Sequence, residues 1–314
     1  MIIFGASDAG PAQYLSEIIK KINVPYECYC SNISKVVFNK NKIKCYELNL
    51  ISVPKKMISH IIVGSTLESE TIDFKLLEWG RTNKIKTILI VDHWTNFEER
   101  ISLLNESNFP SEFWVNDVFC KNKLVKLNVD DKIIFPVGNP ILERLESLSV
   151  SVNTKKNSIL FISESMNDSK FDLKKIYGFD EYDVLKSIIK HLPKTSDLFI
   201  KLHPAESIDK YNSYCNNYGV KIIKNKNLES LSLHKTIIGM NSFLLVELAL
   251  IGNNVYTYRP NQAQDFIGTQ LNLTYNLNER ELINVLNNNK VYIKKSSSVS
   301  FKGSFDNILK RLKR

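Results

Sequence analysis

Apolar side chains along the chain follow two rhythms. Short β-rich, largely apolar runs occur at residues 1–4, 61–63, 87–91, 113–115 and 133–135. After a polar stretch at 151–157 they resume at 159–162, 198–200, 220–223, 236–238 and 255–258. A run that is apolar on successive residues suits a strand covered on both faces, as in a parallel sheet. Between the runs lie segments with helical spacing, one marked by Leu15, Ile18, Ile19 and Ile22 and another by Leu142, Leu145 and Leu148. This alternation, interrupted once near Ser151, predicts an α/β protein of two Rossmann-like domains, 1–150 and 151–314, facing each other across a cleft. An eight-unit barrel of this length would run without the polar interruption.

Composition narrows the class further. None of the apolar runs approaches the ~20 residues needed to span a bilayer. Met1-Ile2-Ile3-Phe4 has no basic region before it and reads as a first strand, so a cytoplasmic protein is expected. The five cysteines, Cys28, Cys30, Cys45, Cys120 and Cys215, are odd in number and contain no CxxC pair, which argues against a disulfide scaffold or a zinc site. The net charge of +9 is dispersed, with no RNA-recognition signature or zinc finger, so nucleic acid is not an expected partner. The most local basic feature closes the chain, where Phe305, Ile308, Leu309 and Leu312 form a helical stripe beside Lys310, Arg311, Lys313 and Arg314. The first reading is a helix packed on the body with a solvated basic face, and the second is a peripheral contact with a membrane surface.

Four segments could carry chemistry. Gly5-Ala6-Ser7-Asp8-Ala9-Gly10-Pro11 joins the first strand to the first helix, and its glycines allow a sharp turn with backbone N–H groups close to a ligand. Pro11 suits the first helical position. Asp92 and His93 follow the strand at 87–91, at the carboxyl end where ligands bind in open α/β sheets, and a carboxylate beside an imidazole is a candidate general base. Lys201-Leu202-His203-Pro204 ends a later strand and offers a cation and an imidazole to a phosphate. In the fourth segment Asn241 or Ser242 is expected to cap a helix whose N-terminus suits an anion. Glu247 is the one charge of that apolar helix, and a ribose diol or a backbone N–H would satisfy it. The chain has no DxD at a sugar-nucleotide position, so a metal-independent site without a cofactor is expected.

Together these segments resemble a GT-B glycosyltransferase. Lys201-Leu202-His203-Pro204 resembles the HP motif of bacterial sialyltransferases and related capsule enzymes, and Ser242 with Glu247 resembles the Ser-x(4)-Glu helix that holds phosphate and ribose. Val137-Gly138-Asn139-Pro140 is similar to the GNP segment that closes the amino-terminal half in such proteins. The resemblance implies an acidic sugar (sialic, legionaminic or pseudaminic acid, or Kdo) carried by CMP and passed to a glycan or glycolipid acceptor. It also implies Asp92 as base, assisted by His93, with His203 on the phosphate. The remaining donor contacts would be Gly5, Ser7, Asp8, Gly10, Lys201, Pro204, Asn241, Ser242 and Glu247. A UDP- or GDP-sugar or CDP-glycerol is the alternative donor, and a nucleotide-sugar-binding protein without turnover is a further alternative. The chain departs from the sialyltransferase pattern in offering Asp92-His93-Trp94 where that family has an acidic pair followed by glycine.

Overall fold

Among the described residues twelve strands, all paired in parallel, form two six-stranded sheets. The structure is a computed structural model and describes residues 1–48, 54–148, 155–166, 173–224, 227–260, 266–287 and 299–313. In the first sheet β1 (Ile2–Ala6), β2 (Tyr26–Cys30), β3 (His60–Gly64), β4 (Lys86–Val91), β5 (Glu112–Val115) and β6 (Ile134–Pro136) lie in the order β2-β1-β3-β4-β5-β6. In the second, β7 (Lys155–Ile162), β8 (Asp197–Lys201), β9 (Lys221–Ile223), β10 (His234–Gly239), β11 (Val255–Tyr258) and β12 (Tyr275–Leu277) run β12-β11-β10-β7-β8-β9. Helices connect the strands, so each sheet is Rossmann-like.

The central strands are the apolar runs of the sequence. β1 and β3 are buried at every position, which is why residues 2–4 and 61–63 are apolar without alternation. Two strands carry no such run. Both β2 and β12 are edge strands, and Tyr26, Glu27, Tyr275 and Asn276 are only partly covered, so polar residues are tolerated there.

The chain divides into two compact units, Met1–Arg144 with Phe301–Arg314, and Leu145–Ser300. The break expected at 150/151 lies outside the described residues. The end of the chain, expected with the second domain, belongs to the first. The reason lies in the helix Ser304–Leu312: Ile308 is fully buried within the core that also holds Phe4, Leu15 and Trp114, and Leu312 packs against it. The positive φ of +93° at Gly138 and its closeness to Ser304, whose Oγ would lie 2.1 Å from a Cβ there, make glycine the residue that fits this contact. Glu143 accepts the N–H groups of Gly303 (2.7 Å) and Phe305 (3.0 Å), capping the helix from outside. Arg311 reaches Glu112 with two nitrogens, at 2.7 and 3.0 Å, and lies 3.3 Å from the ring centre of Phe135. Burial alone would raise the carboxyl of Glu112, yet hydrogen bonds from Arg311, Lys86 and Trp114 hold it below its ordinary value. The apolar stripe read from the sequence is therefore used in holding this helix to the first unit. Arg314 lies outside the described residues. Among the described residues no helix is long and apolar enough to cross a membrane.

Candidate functional site

Strand order reverses between β7 and β10 in the second unit. Connections leaving neighbouring strands at such a point diverge to opposite faces and open a crevice at the carboxyl ends. A cavity of about 550 Å³ lies there, lined by residues 162–166, 201–204 and 242–244 together with Glu247. That volume falls within the ~300–1,000 Å³ typical of small-ligand sites. Lys201, His203, Pro204, Ser242 and Glu247, singled out from separate stretches of sequence, thus share one cavity. Asn241 adjoins it through its backbone.

His203 stands on an exposed turn that fixes its chemistry. Its Nδ1 accepts the N–H of Ala205 at 3.2 Å, so a neutral ring carries its proton on Nε2 and presents it as a donor. The backbone N–H of His203 is bound by Glu206 Oε2 at 2.6 Å. Glu206, only 3% exposed, also accepts from Ser163 Oγ at 2.7 Å and pairs with Lys210 at 2.9 Å. Lys210 bonds Glu181 as well, and Tyr211 meets Ser163 at 2.6 Å. A buried ionic network therefore sets the turn, and nothing local in the sequence marks its members. Lys201 donates to the carbonyl of Leu202 at 2.6 Å; burial lowers its pKa, while Glu206 acts in the opposite direction.

The helix Phe243–Leu250 buries Leu245, Val246, Leu248, Ala249 and Leu250 and leaves Glu247 half-buried on the cavity. The cap expected from Asn241 or Ser242 is not made by either side chain. Instead Glu164 Oε1, at the end of β7, accepts the N–H groups of Asn241 (2.5 Å) and Ser242 (2.8 Å). Burial pushes the Glu164 carboxyl up to about 7, against the pull of these amides and of Arg259. Sequence reasoning missed Glu164. Its one visible signal was its place two residues beyond an apolar run.

In the first unit the order reverses between β1 and β3. A Cβ on Gly10 would stand 2.9 Å from Asp92 Oδ2 and 3.1 Å from His93 Nε2, so glycine allows the first helix to begin against these two side chains. Asp92 is buried, His93 is partly exposed, and His93 Nε2 lies 3.3 Å from Asp92 Oδ2. Asn116 donates to the Asp92 carbonyl at 2.9 Å and is itself held by Asn139 at 3.1 Å, so part of the GNP segment props this loop. The Oδ1 of Asp92 is buried without a hydrogen-bond partner among the described residues. Burial raises the Asp92 carboxyl, opposed by His93 and by the guanidinium of Arg100, which donates to Ser65 at 3.0 Å.

Two expectations change here. Gly5 lies inside β1, where a Cβ would meet Leu76 at 2.2 Å, so it serves helix packing and does not border the loop. The helix starts at Ala9, which makes Pro11 its third residue, packed on Gly64. Ser7 and Asp8, grouped by sequence with the donor contacts, belong to the first unit beside Asp73 and Asp92. Asp73, also missed, is 1% exposed, and burial pushes it up to about 6 against the hydroxyls of Ser7 and Thr71. Among the described residues no group of three or more histidine, cysteine, aspartate or glutamate side chains is arranged to hold a metal ion.

No family model matches the sequence, and no curated protein is significantly similar to it. Solved structures are similar in fold. The UDP-GlcNAc 2-epimerase of Methanocaldococcus jannaschii, in complex with UDP-GlcNAc and UDP, superposes with a TM-score of 0.65 at 16% identity over 99% of both chains. The UDP-GlcNAc 2-epimerase of Neisseria meningitidis bound to UDP-GlcNAc gives 0.64 at 13% identity, over 99% of this chain and 98% of that one. The wall teichoic acid polymerase TagF gives 0.51 at 14% identity, over 100% of this chain and 89% of its own. The fold is thus of the GT-B kind, with two Rossmann-like units. The narrower sialyltransferase resemblance has no counterpart among these three structures.

Proposed function

We propose that the chain is an enzyme acting on a nucleotide-activated sugar, with the nucleotide seated in the cavity of the second unit. One observation carries this reading: Lys201, His203, Ser242 and Glu247 converge on a single cavity at the reversal of strand order. The Nε2–H of His203 and the ammonium of Lys201 are donors for a phosphate, and Glu247 is an acceptor for ribose hydroxyls. These donors supply positive charge for a leaving phosphate without a metal. In the first unit Asp92 would take a proton from the reacting group, since burial brings its affinity for a proton closer to working pH. His93, beside it, would stabilise the carboxylate until the proton arrives.

A UDP-linked sugar is the donor class best supported, because the full-length structural likeness is to enzymes of UDP-GlcNAc. Transfer of an acidic sugar from CMP to a glycan or glycolipid remains a second reading. It is favoured by the HP motif at His203 and Pro204. Melting the protein with UDP, CMP, CDP and GDP, each with EDTA and with magnesium, tests both, because a ligand that binds only the folded state raises Tm with concentration. The proposal expects a rise with UDP that EDTA leaves intact. A rise with CMP alone would favour the second reading, and no rise with any nucleotide would remove both. UDP release from UDP-GlcNAc, with and without sugar acceptors, then measures turnover.

A further inference from the structure

The anion-binding end of the helix Phe243–Leu250 already holds an anion supplied by the chain. Glu164 reaches it from the end of β7, with one carboxylate oxygen on the amides of Asn241 and Ser242, the two residues that lead into the helix. The same carboxylate lines the cavity that Lys201, His203 and Ser242 line. A phosphate drawn to that helix end would therefore stand beside Glu164, and two anions at such close range repel each other. We infer that Glu164 governs the charge this subsite accepts: the ionised carboxylate and a nucleotide phosphate exclude one another, so nucleotide is bound with Glu164 protonated.

This inference rests on the reading that the cavity binds nucleotide. It adds a proton to the binding equilibrium: the proton comes from solvent, joins the carboxylate and leaves again when the nucleotide departs. Burial already holds the carboxyl at about 7. Among the described residues, the other charged groups around it are Lys201 and His203 from the end of β8, Glu247 from the helix, and Arg259 beyond β11. Lys201, His203 and Arg259 attract a phosphate, whereas Glu164 and Glu247 oppose it.

The test compares wild type with Glu164→Gln, which keeps the carbonyl that accepts both amides but cannot ionise. Affinities for UDP and for CMP are measured calorimetrically from pH 7 to 9. With a competent fraction set by a carboxyl near 7, wild-type Kd should rise roughly tenfold per pH unit above pH 7 relative to the variant. At pH 9 Glu164→Gln should bind about a hundredfold tighter than wild type. Proton exchange by any other group is common to both proteins and cancels in the ratio. Calorimetry of wild type alone, in buffers of different ionisation enthalpy, should show about one proton taken up per nucleotide at pH 8 to 9, which covers the case of a variant that does not fold. Equal affinity and equal pH slope in the two proteins, or no proton uptake by wild type, would overturn the inference. So would weaker binding by the variant, because Glu164 would then be a direct contact of the ligand. If folded wild type and variant both bind neither nucleotide, the reading of the cavity itself fails, which is a separate result.

Discussion

In the first unit two carboxylates, Asp73 and Asp92, are buried and make no ion pair with lysine or arginine among the described residues. In the second unit Glu206 is pinned instead: it pairs with Lys210 and bonds Ser163 and the turn of His203. A buried carboxylate that is not locked to an ammonium holds its proton more tightly, whereas one that is so locked is an architectural element. Under the proposed function Asp92 is therefore the group that takes a proton, and Glu206 the one that holds the ligand-binding turn.

Substitutions that exchange these roles probe the contrast, and the largest effect belongs to Asp92. Asp92→Asn keeps the shape but cannot take a proton, so turnover should fall by ~10²–10⁴ with nucleotide affinity unchanged. Nucleotide release and calorimetric titration together check this, and near wild-type turnover would move the base elsewhere. Next is Glu206→Ala, which strips a buried partner from Lys210 and from the His203 turn. It should destabilise the second unit by about 3–5 kcal/mol in a denaturant titration. A loss within experimental error would mean that the network does not hold the turn.

Asp73→Asn tests the opposite condition in the first unit. Because the folded carboxyl sits near 6, above its ordinary 3.8, the native state binds the proton more tightly than the unfolded chain. Stability from this group is therefore complete below pH 4 and is lost as pH rises through 6. The variant should lack that slope and gain on wild type by about 2 kcal/mol between pH 4 and 7. Parallel stability curves for the two proteins over that range would show that Asp73 is not strained. The smallest effect is expected from His203→Ala, which removes one donor to the phosphate. Nucleotide binding should weaken by about 1.5–3 kcal/mol, read as Kd, with Tm unchanged because the side chain is exposed. Unchanged Kd would separate the HP motif from the phosphate.

Each of the ten runs in the sequence overlaps a strand, and in the interior strands burial on both faces accounts for their apolarity, whereas the edge strands β6 and β9 are only partly covered. The edges β2 and β12 escaped because partial exposure lets Glu27 and Asn276 stand among their residues. The site was legible in the same way. Asp92, Lys201 and His203 follow apolar strands directly, so their position at a sheet end could be read locally. Glu164 was not legible, because its meaning depends on amides 77 and 78 residues away. Glu206, Lys210 and Glu181 read as ordinary surface charges until the fold brings them together. Amphipathicity revealed the helix Ser304–Leu312, but the seat that receives it is formed by Gly138, Glu143 and Glu112, far back in the chain.

The return of that last helix to the first unit has a consequence for how the protein is made. Synthesis completes all six strands of the second unit before Phe301 leaves the ribosome, whereas the first unit must wait for Ile308 to fill its core. At ~5–20 residues per second, residues 145–300 take roughly 10–30 s to emerge. Throughout that interval the seat of Ile308 is open, Glu112 lacks Arg311, and the first unit presents apolar surface that a chaperone could bind. The half of the chain that is translated first is therefore the half that finishes folding last.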